Sequence, residues 1–161
     1  MTPADVPAVM AVQAACYGEA LCEPVPVLHA RLRAAADTCW VAVRDGRVCA
    51  YLAAYRSRLG AVTPLNGDFR PAARADTLYL HDLAVEPAAH GGGLGQRLVD
   101  TVVAGGRRDG LAWSALVAVQ GAAAFWQRRG WQARDPADVG RWNLQAYGVD
   151  ACYMVRDLSK V

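Results

Sequence analysis

Leu83-Ala84-Val85-Glu86-Pro87 is followed, after two alanines, by His90-Gly91-Gly92-Gly93-Leu94-Gly95-Gln96, and the reading of this stretch decides the fold. Upstream, Thr77 to Val85 reads as a strand. Downstream, Leu94, Leu98 and Val102 recur at helical spacing, predicting a helix to about Ala104. Glycines between a strand and a helix let the backbone approach a ligand closely. The helix start adds unpaired N–H groups and a partial positive charge. His90, Gly91, Gly92, Gly93, Leu94, Gly95 and Gln96 are therefore expected to cradle an anion. Three familiar loops do not fit. A dinucleotide GxGxxG fails because its third glycine would be Gln96 or Leu98, counting from Gly91 or Gly93. A Walker A loop lacks its Gly-Lys-Ser/Thr, and a lipase-type HGGG loop lacks any GxSxG nucleophile.

Working outward, Leu111 to Val119 reads as an apolar strand and Ala122 to Arg129 as a short helix ending at Gly130. Near the N-terminus, Thr2-Pro3-Ala4-Asp5 carries a cap, a first-turn proline and an acidic third residue. A helix to about Tyr17 should follow, burying Val6, Val9, Met10 and Ala14. Pro24 and Pro26 then precede a second helix, Val27 to Ala36. Trp40 to Val43 and Val48 to Tyr55 flank Asp45-Gly46, a hairpin signal. Ser57 to Asp76 has no sustained period and is expected to be a long loop, and loops of that length are usually functional or mobile. Trp142 to Gln145 and Ala151 to Leu158 are expected as final strands. With no repeat or linker, residues 1–161 read as a single α/β domain with a mostly antiparallel sheet.

Composition narrows the function. Seventeen basic against fifteen acidic groups leave a net charge of +2, far from the excess of a nucleic-acid binder. Sixteen of the cations are arginine, and Lys160 is the single lysine. Nothing is long and apolar enough to span a membrane, and no signal-peptide pattern opens the chain. Five cysteines without a CxxC argue against a disulfide framework or a zinc site. They fit a reducing cytoplasm, with Cys39 and Cys49 as core residues.

The glycine stretch resembles the pyrophosphate loop of the GNAT superfamily of acetyl-CoA-dependent N-acetyltransferases, Gln/Arg-x-x-Gly-x-Gly/Ala. His90 takes the first position, and Gly93 and Gly95 match. The strand ending Leu83-Ala84-Val85 is similar to the family's fourth strand, whose open edge pairs with pantetheine amides. Phe125-Trp126-Gln127-Arg128-Arg129-Gly130-Trp131 is similar to the Phe-Tyr-x-x-x-Gly-Phe helix end beside the cofactor's sulfur arm, which assigns Phe125 and Trp126 to that arm. The similarity spans about Thr77 to Trp131. His90 replaces Gln or Arg, Val119 stands where many members carry Asn, and Trp126 replaces a frequent catalytic tyrosine. The chain also begins directly at the first helix, where the family usually has a strand.

The resemblance implies a GNAT-like mixed sheet splayed at an acetyl-CoA cleft between Thr77–Val85 and Leu111–Val119. It implies acetyl-CoA as co-substrate, no metal, and direct transfer to a small-molecule or peptide amine in a ternary complex. Neither nucleic acid nor membrane is expected as a partner, and a homodimer is open to such a chain. The alternative is a non-catalytic acyl-CoA-binding or sensing domain of the same fold.

Strand alternation puts Tyr79, His81, Leu83 and Val85 on one face, and Leu78, Leu80, Asp82 and Ala84 on the other. By resemblance the face of Tyr79 and His81 looks toward the acceptor, which makes His81 the leading base. A histidine reference pKa of ~6.5 suits that work. The competing role for His81 is a structural hydrogen bond. Asp82 is the second candidate, on a face expected to meet the helix layer. The Leu83 N–H is expected to polarise the thioester carbonyl. Glu19 and Glu23 could attract a cationic acceptor, and Tyr153 is a fallback acid for the departing thiolate.

Overall fold

The computed structural model describes residues 1–159, with only the backbone of Asp138 and Val139. Lys160 and the last residue of the expected 1–161 domain lie outside the described residues. Helices α1 (Val6–Cys16) and α2 (Val25–Ala35) precede the hairpin β1 (Trp40–Arg44) and β2 (Arg47–Ser57). There follow β3 (Thr77–Val85), α3 (Leu94–Arg108), β4 (Trp113–Ala118), α4 (Ala123–Gln127), β5 (Gln132–Ala133), α5 (Asp138–Gln145) and β6 (Cys152–Asp157). The hairpin turns through Asp45 and Gly46 at φ 50° and 76°, the left-handed pair that a tight two-residue connection requires.

The strands form one sheet in the order β1-β2-β3-β4-β6-β5, antiparallel throughout except for β3 beside β4. Each face buries its own layer. Val6, Val9, Leu28, Tyr51, Tyr55 and Tyr79 pack beneath α1 and α2. Leu52, Leu78, Leu80, Val99, Val102 and Trp131 pack on the other side, where α3 lies. Helix α3 sits close because Gly106 has no side chain; a Cβ there would meet Leu78 Cδ2 at 3.0 Å. Cys39 and Cys49 are buried core residues, as their pattern suggests.

Two features of β3 create the functional geometry. First, β3 pairs with β4 only from Thr77 to Leu80, while its pairing with β2 continues to Val85. The sheet therefore splits open beyond Leu80. Second, Ala53 pairs with Asp82 and Ala54 with Leu80, so His81 is an extra residue, a β-bulge. A one-residue insertion reverses the alternation. This corrects the expected facing: Asp82 and Ala84 lie on the same side as Tyr79 and His81, whereas Leu83 and Val85 turn toward α3.

Other expectations are also revised. Trp142 to Gln145 is not a strand but part of α5, whose Asn143 donates a 2.6 Å bond to the Val62 carbonyl. Trp142 itself is left exposed. Helix α3 runs on to Arg108, and β5 has no counterpart in the sequence reading. In α1, Gln13 is buried and Ala14 exposed, because the Gln13 amide donates to the Glu23 carbonyl at 2.8 Å. The long segment after β2 has no regular elements but is well anchored. Leu59 N–H donates to Asp76, Gly60 N–H to the Tyr153 hydroxyl, and Val62, Thr63 and Phe69 are buried.

Candidate active site

A cleft of about 640 Å³ opens where β3 and β4 part. It runs from the glycine loop at its mouth, past the free edge of β3, to His81, Asp82 and Tyr147 at its inner end.

The edge of β3 is fixed by its pairing phase. Glu86 N–H bonds the Cys49 carbonyl at 2.9 Å, and antiparallel partners alternate. Ala84 and Asp82 therefore turn their backbone groups to β2, and Leu83 and Val85 turn theirs to the open side. The bonds made there agree. The Leu83 carbonyl accepts from the Tyr17 hydroxyl at 3.0 Å, and the Val85 carbonyl accepts from the Cys16 thiol at 3.1 Å. His90 Nε2 also lies 2.8 Å from that Val85 oxygen, so its ring turns back onto the strand.

At the mouth, Gly91 and Gly93 adopt φ 79° and 70°, and a Cβ at either would meet nothing within 4 Å. Space and conformation are thus both open at the start of α3. Gly95 does a different job: a Cβ there would come within 3.2 Å of Val85 Cγ2, so its absence lets α3 approach β3. Gly93, Leu94, Gly95 and Gln96 line the cleft with Gly91, while the Gly92 carbonyl accepts from Arg97 at 2.8 Å. Opposite, Trp126 is 6% exposed and packs edge-on against Phe125 and Trp131. Phe125 carries the Arg129 guanidinium 3.6 Å above its ring. Arg129 lines the same wall, and its buried Nε has no hydrogen-bond partner. An open strand edge, a glycine-opened helix start and an arginine that still has a free N–H beyond its Nη1 bond to the Phe125 carbonyl together suit a long phosphorylated acyl carrier such as acyl-CoA.

At the inner end two buried acids behave oppositely. Asp82 accepts from the Tyr17 hydroxyl at 2.6 Å and from the Tyr51 hydroxyl. Burial pushes its carboxyl above the usual range, and these two bonds only partly offset that. Glu23 forms a buried ion pair with Arg31 and lies 3.1 Å from His81 Nε2. Burial would raise its carboxyl too, but the His81 and Arg31 contacts prevail and hold it at about 2. The Asn66 N–H and the Gly67 carbonyl join this group, through Glu23 and Arg31 respectively. The His81 side chain is only 2% exposed, although the residue as a whole is partly accessible, so what solvent reaches is its backbone.

Several expected residues therefore come together in one cleft: His81, Asp82, the β3 edge from Leu83 to Val85, the glycine loop, Phe125 and Trp126. Others do not. Tyr79, expected near the acceptor, is 1% exposed and packs in the core with its ring tilted against Tyr55, in the part of β3 still closed by β4. Asp82 caps no helix; it faces α1 and binds two tyrosines. Glu23 is no free attractor of cations, because Arg31 neutralises it. Tyr153 is absent from the cleft lining and its hydroxyl anchors Gly60. Sequence reasoning missed Tyr17, Arg31, Tyr147 and Arg129. Only Arg129 had a signal, since it lies inside the motif around Trp126.

A family model described as the acetyltransferase (GNAT) family matches residues 6–131, and the chain belongs to this family. No curated protein matches it. Among solved structures, it is similar to a GphF GNAT-like decarboxylase in complex with isobutyryl-CoA, with TM-score 0.80 and 19% identity over 98% of this chain and 97% of the other. The loading GNATL domain of CurA from Lyngbya majuscula superposes with TM-score 0.78 at 11% identity, covering 100% and 96%. The ribosomal-protein-S18-alanine N-acetyltransferase from Escherichia coli gives TM-score 0.67 at 16% identity, covering 100% and 92%. The mixed, mostly antiparallel open sheet is thus the GNAT fold, and the GphF neighbour was crystallised with an acyl-CoA. Among the described residues, no helix is long and apolar enough to cross a membrane, and no cluster of side chains suits a metal ion.

Proposed function

We propose that the protein is an N-acetyltransferase that passes the acetyl group of acetyl-CoA to an amine of a small molecule or peptide, by direct attack in a ternary complex. One observation carries the reading: the open β3 edge at Leu83–Val85, the glycine loop and His81 share a single cleft. In this reading the Leu83 N–H, on the open side, meets the thioester oxygen as negative charge grows there. His81 takes the proton of the attacking amine. The test is thiol release from acetyl-CoA over an amine panel, with His81→Ala lowering kcat roughly 10²-fold or more and leaving cofactor affinity nearly unchanged. Asp82→Asn should cost less in kcat, because Asp82 is already engaged by two hydroxyls. Thermal stabilisation by acetyl-CoA without turnover of any amine would instead favour an acyl-CoA-binding or sensing domain.

A second reading has its own support. The GNAT-like decarboxylase and the CurA loading domain superpose better, at TM-scores 0.80 and 0.78, than the Escherichia coli N-acetyltransferase at 0.67. Decarboxylation of a malonyl-type acyl-CoA needs no amine, and the inner end of this cleft is walled by Tyr147 and the 57–76 segment. Incubation with malonyl-CoA separates the two: this reading requires acetyl-CoA and carbon dioxide to form with uptake of one proton and no amine present.

A further inference from the structure

The two nitrogens of His81 are not equivalent. Nε2 lies 3.1 Å from Glu23 Oε2, whereas Nδ1 is buried with no hydrogen-bond partner. The Glu23 carboxylate offers only acceptors, so a neutral His81 must carry its hydrogen on Nε2. The carboxylate itself cannot swing away. The Arg31 guanidinium grips both of its oxygens, and the Asn66 N–H donates to Oε1 at 2.8 Å. Arg31 is in turn tied to the Gly67 carbonyl, at 3.1 Å from Nε and 2.8 Å from Nη2. Both side chains of the pair are 3% exposed. A buried ion pair is weak as a source of stability, since desolvation cancels most of its attraction. Its geometric effect here is definite: one ring nitrogen is committed to Glu23, and the other is an unpaired acceptor buried among the Phe69, Tyr79 and Tyr147 rings.

We propose that Glu23, clamped by Arg31, is the positioning residue of this site: it fixes His81 as the Nε2–H tautomer and leaves Nδ1 as the proton acceptor for the attacking amine. This rests on the acyl-transfer reading above. As the amine nitrogen bonds to the thioester carbon, its N–H proton passes to Nδ1, which the amine reaches once the Phe69 and Tyr147 rings beside His81 give way, and the C–S bond breaks. The imidazolium then returns that proton to the departing thiolate, giving free thiol and neutral histidine. Because Asn66 and Gly67 belong to the segment between β2 and β3, the same carboxylate also sets the wall around the acceptor. Orientation of the base and closure of that wall are one arrangement.

The chain has three histidines, so their side-chain nitrogens can be resolved in a long-range proton–nitrogen NMR spectrum of the 15N-histidine protein. Wild-type His81, identified by its loss in His81→Ala, should read as the Nε2–H tautomer near pH 8. Glu23→Gln should mix the tautomers and lower kcat at least tenfold, with KM for acetyl-CoA within about twofold. Arg31→Lys keeps the carboxylate charged, so the Nε2–H tautomer should persist with a smaller fall in kcat. A wild-type Nδ1–H signal overturns the proposal without any variant. Unchanged kcat in Glu23→Gln overturns it as well. If no amine is ever acylated, the acyl-transfer reading fails on its own, and the spectrum still reports whether Glu23 dictates the tautomer.

Discussion

The Tyr17 hydroxyl, at the end of α1, lies 2.6 Å from Asp82 Oδ1 and 3.0 Å from the Leu83 carbonyl oxygen. One side chain thus joins the first helix to the strand edge just beyond Leu80, the last β3 residue paired with β4. Asp82 has a second hydroxyl donor in Tyr51, yet burial still raises its carboxyl above the ordinary range. A carboxyl raised on folding destabilises the native state while it is ionised, and that penalty fades as pH falls below its folded value. Tyr17→Phe should therefore cost roughly 1.5–3 kcal/mol, the range for a hydrogen bond to a charged group. The loss should be larger where Asp82 is ionised than where it is protonated, as urea unfolding across the acid to neutral range would report. A loss that stays constant over that whole range would mean that Asp82 is not the partner that matters.

Acetyl-CoA should stabilise the native protein through the cleft mouth. Saturation to a hundred times Kd adds ~2.7 kcal/mol, which predicts a rise in Tm of roughly 5–10 °C for a domain of this size. Gly93→Asp should abolish the rise. The position has φ 70° and no neighbour within 4 Å of an added Cβ, so the variant folds with modest strain but sets a carboxylate against the phosphates. A full shift retained in Gly93→Asp would place the anion elsewhere.

Glu23 should leave a mark on acid stability. Its folded pKa of about 2 lies below the ordinary 4.5, so its contribution is full above about 4.5 and is lost as pH falls toward about 2. The difference is worth on the order of 3 kcal/mol. Glu23→Gln, which cannot titrate, should flatten the stability profile across that window relative to wild type. Denaturant unfolding between pH 2 and 5 measures it, and an identical slope in both proteins would contradict the assignment.

What was legible in the sequence was local. The glycine loop, the strand before it and the helix after it declare themselves through neighbouring residues, and Asp45-Gly46 does so for its hairpin. The bulge was not legible, because it is a property of how Ala53 and Ala54 meet Leu80 and Asp82 across two strands. Simple alternation then misplaced everything after His81. Glu23, Arg31 and His81 come from a linker, a helix and a strand, and no spacing rule joins them. The helix at Trp142 was misread for a related reason: four residues of mixed polarity fit either period, and the tie of Asn143 to Val62 that supports the helix is long-range.

Trp126 is where the family resemblance and the chemistry part company. The position is often a tyrosine able to protonate the departing thiolate, whereas an indole N–H donates a hydrogen bond but does not ionise usefully. The structure gives it a packing role: Trp126 is 6% exposed, with its ring 5.0 Å from Phe125 and 5.3 Å from Trp131. It forms one wall of the cleft opposite the glycine loop. A dedicated acid need not be supplied there. A thiol with a pKa near ~8.5 is a fair leaving group close to neutrality, and in the acyl-transfer reading proposed above a proton taken up by His81 would be available to the thiolate. Trp126→Phe should therefore keep kcat within about tenfold, below the 10²–10⁴ span typical of losing a true general acid. Its main effect should be a modest rise in KM for acetyl-CoA, because the smaller ring covers less of the pantetheine arm. A fall in kcat beyond a hundredfold, with acetyl-CoA still raising Tm, would mean that the indole N–H takes part in the reaction.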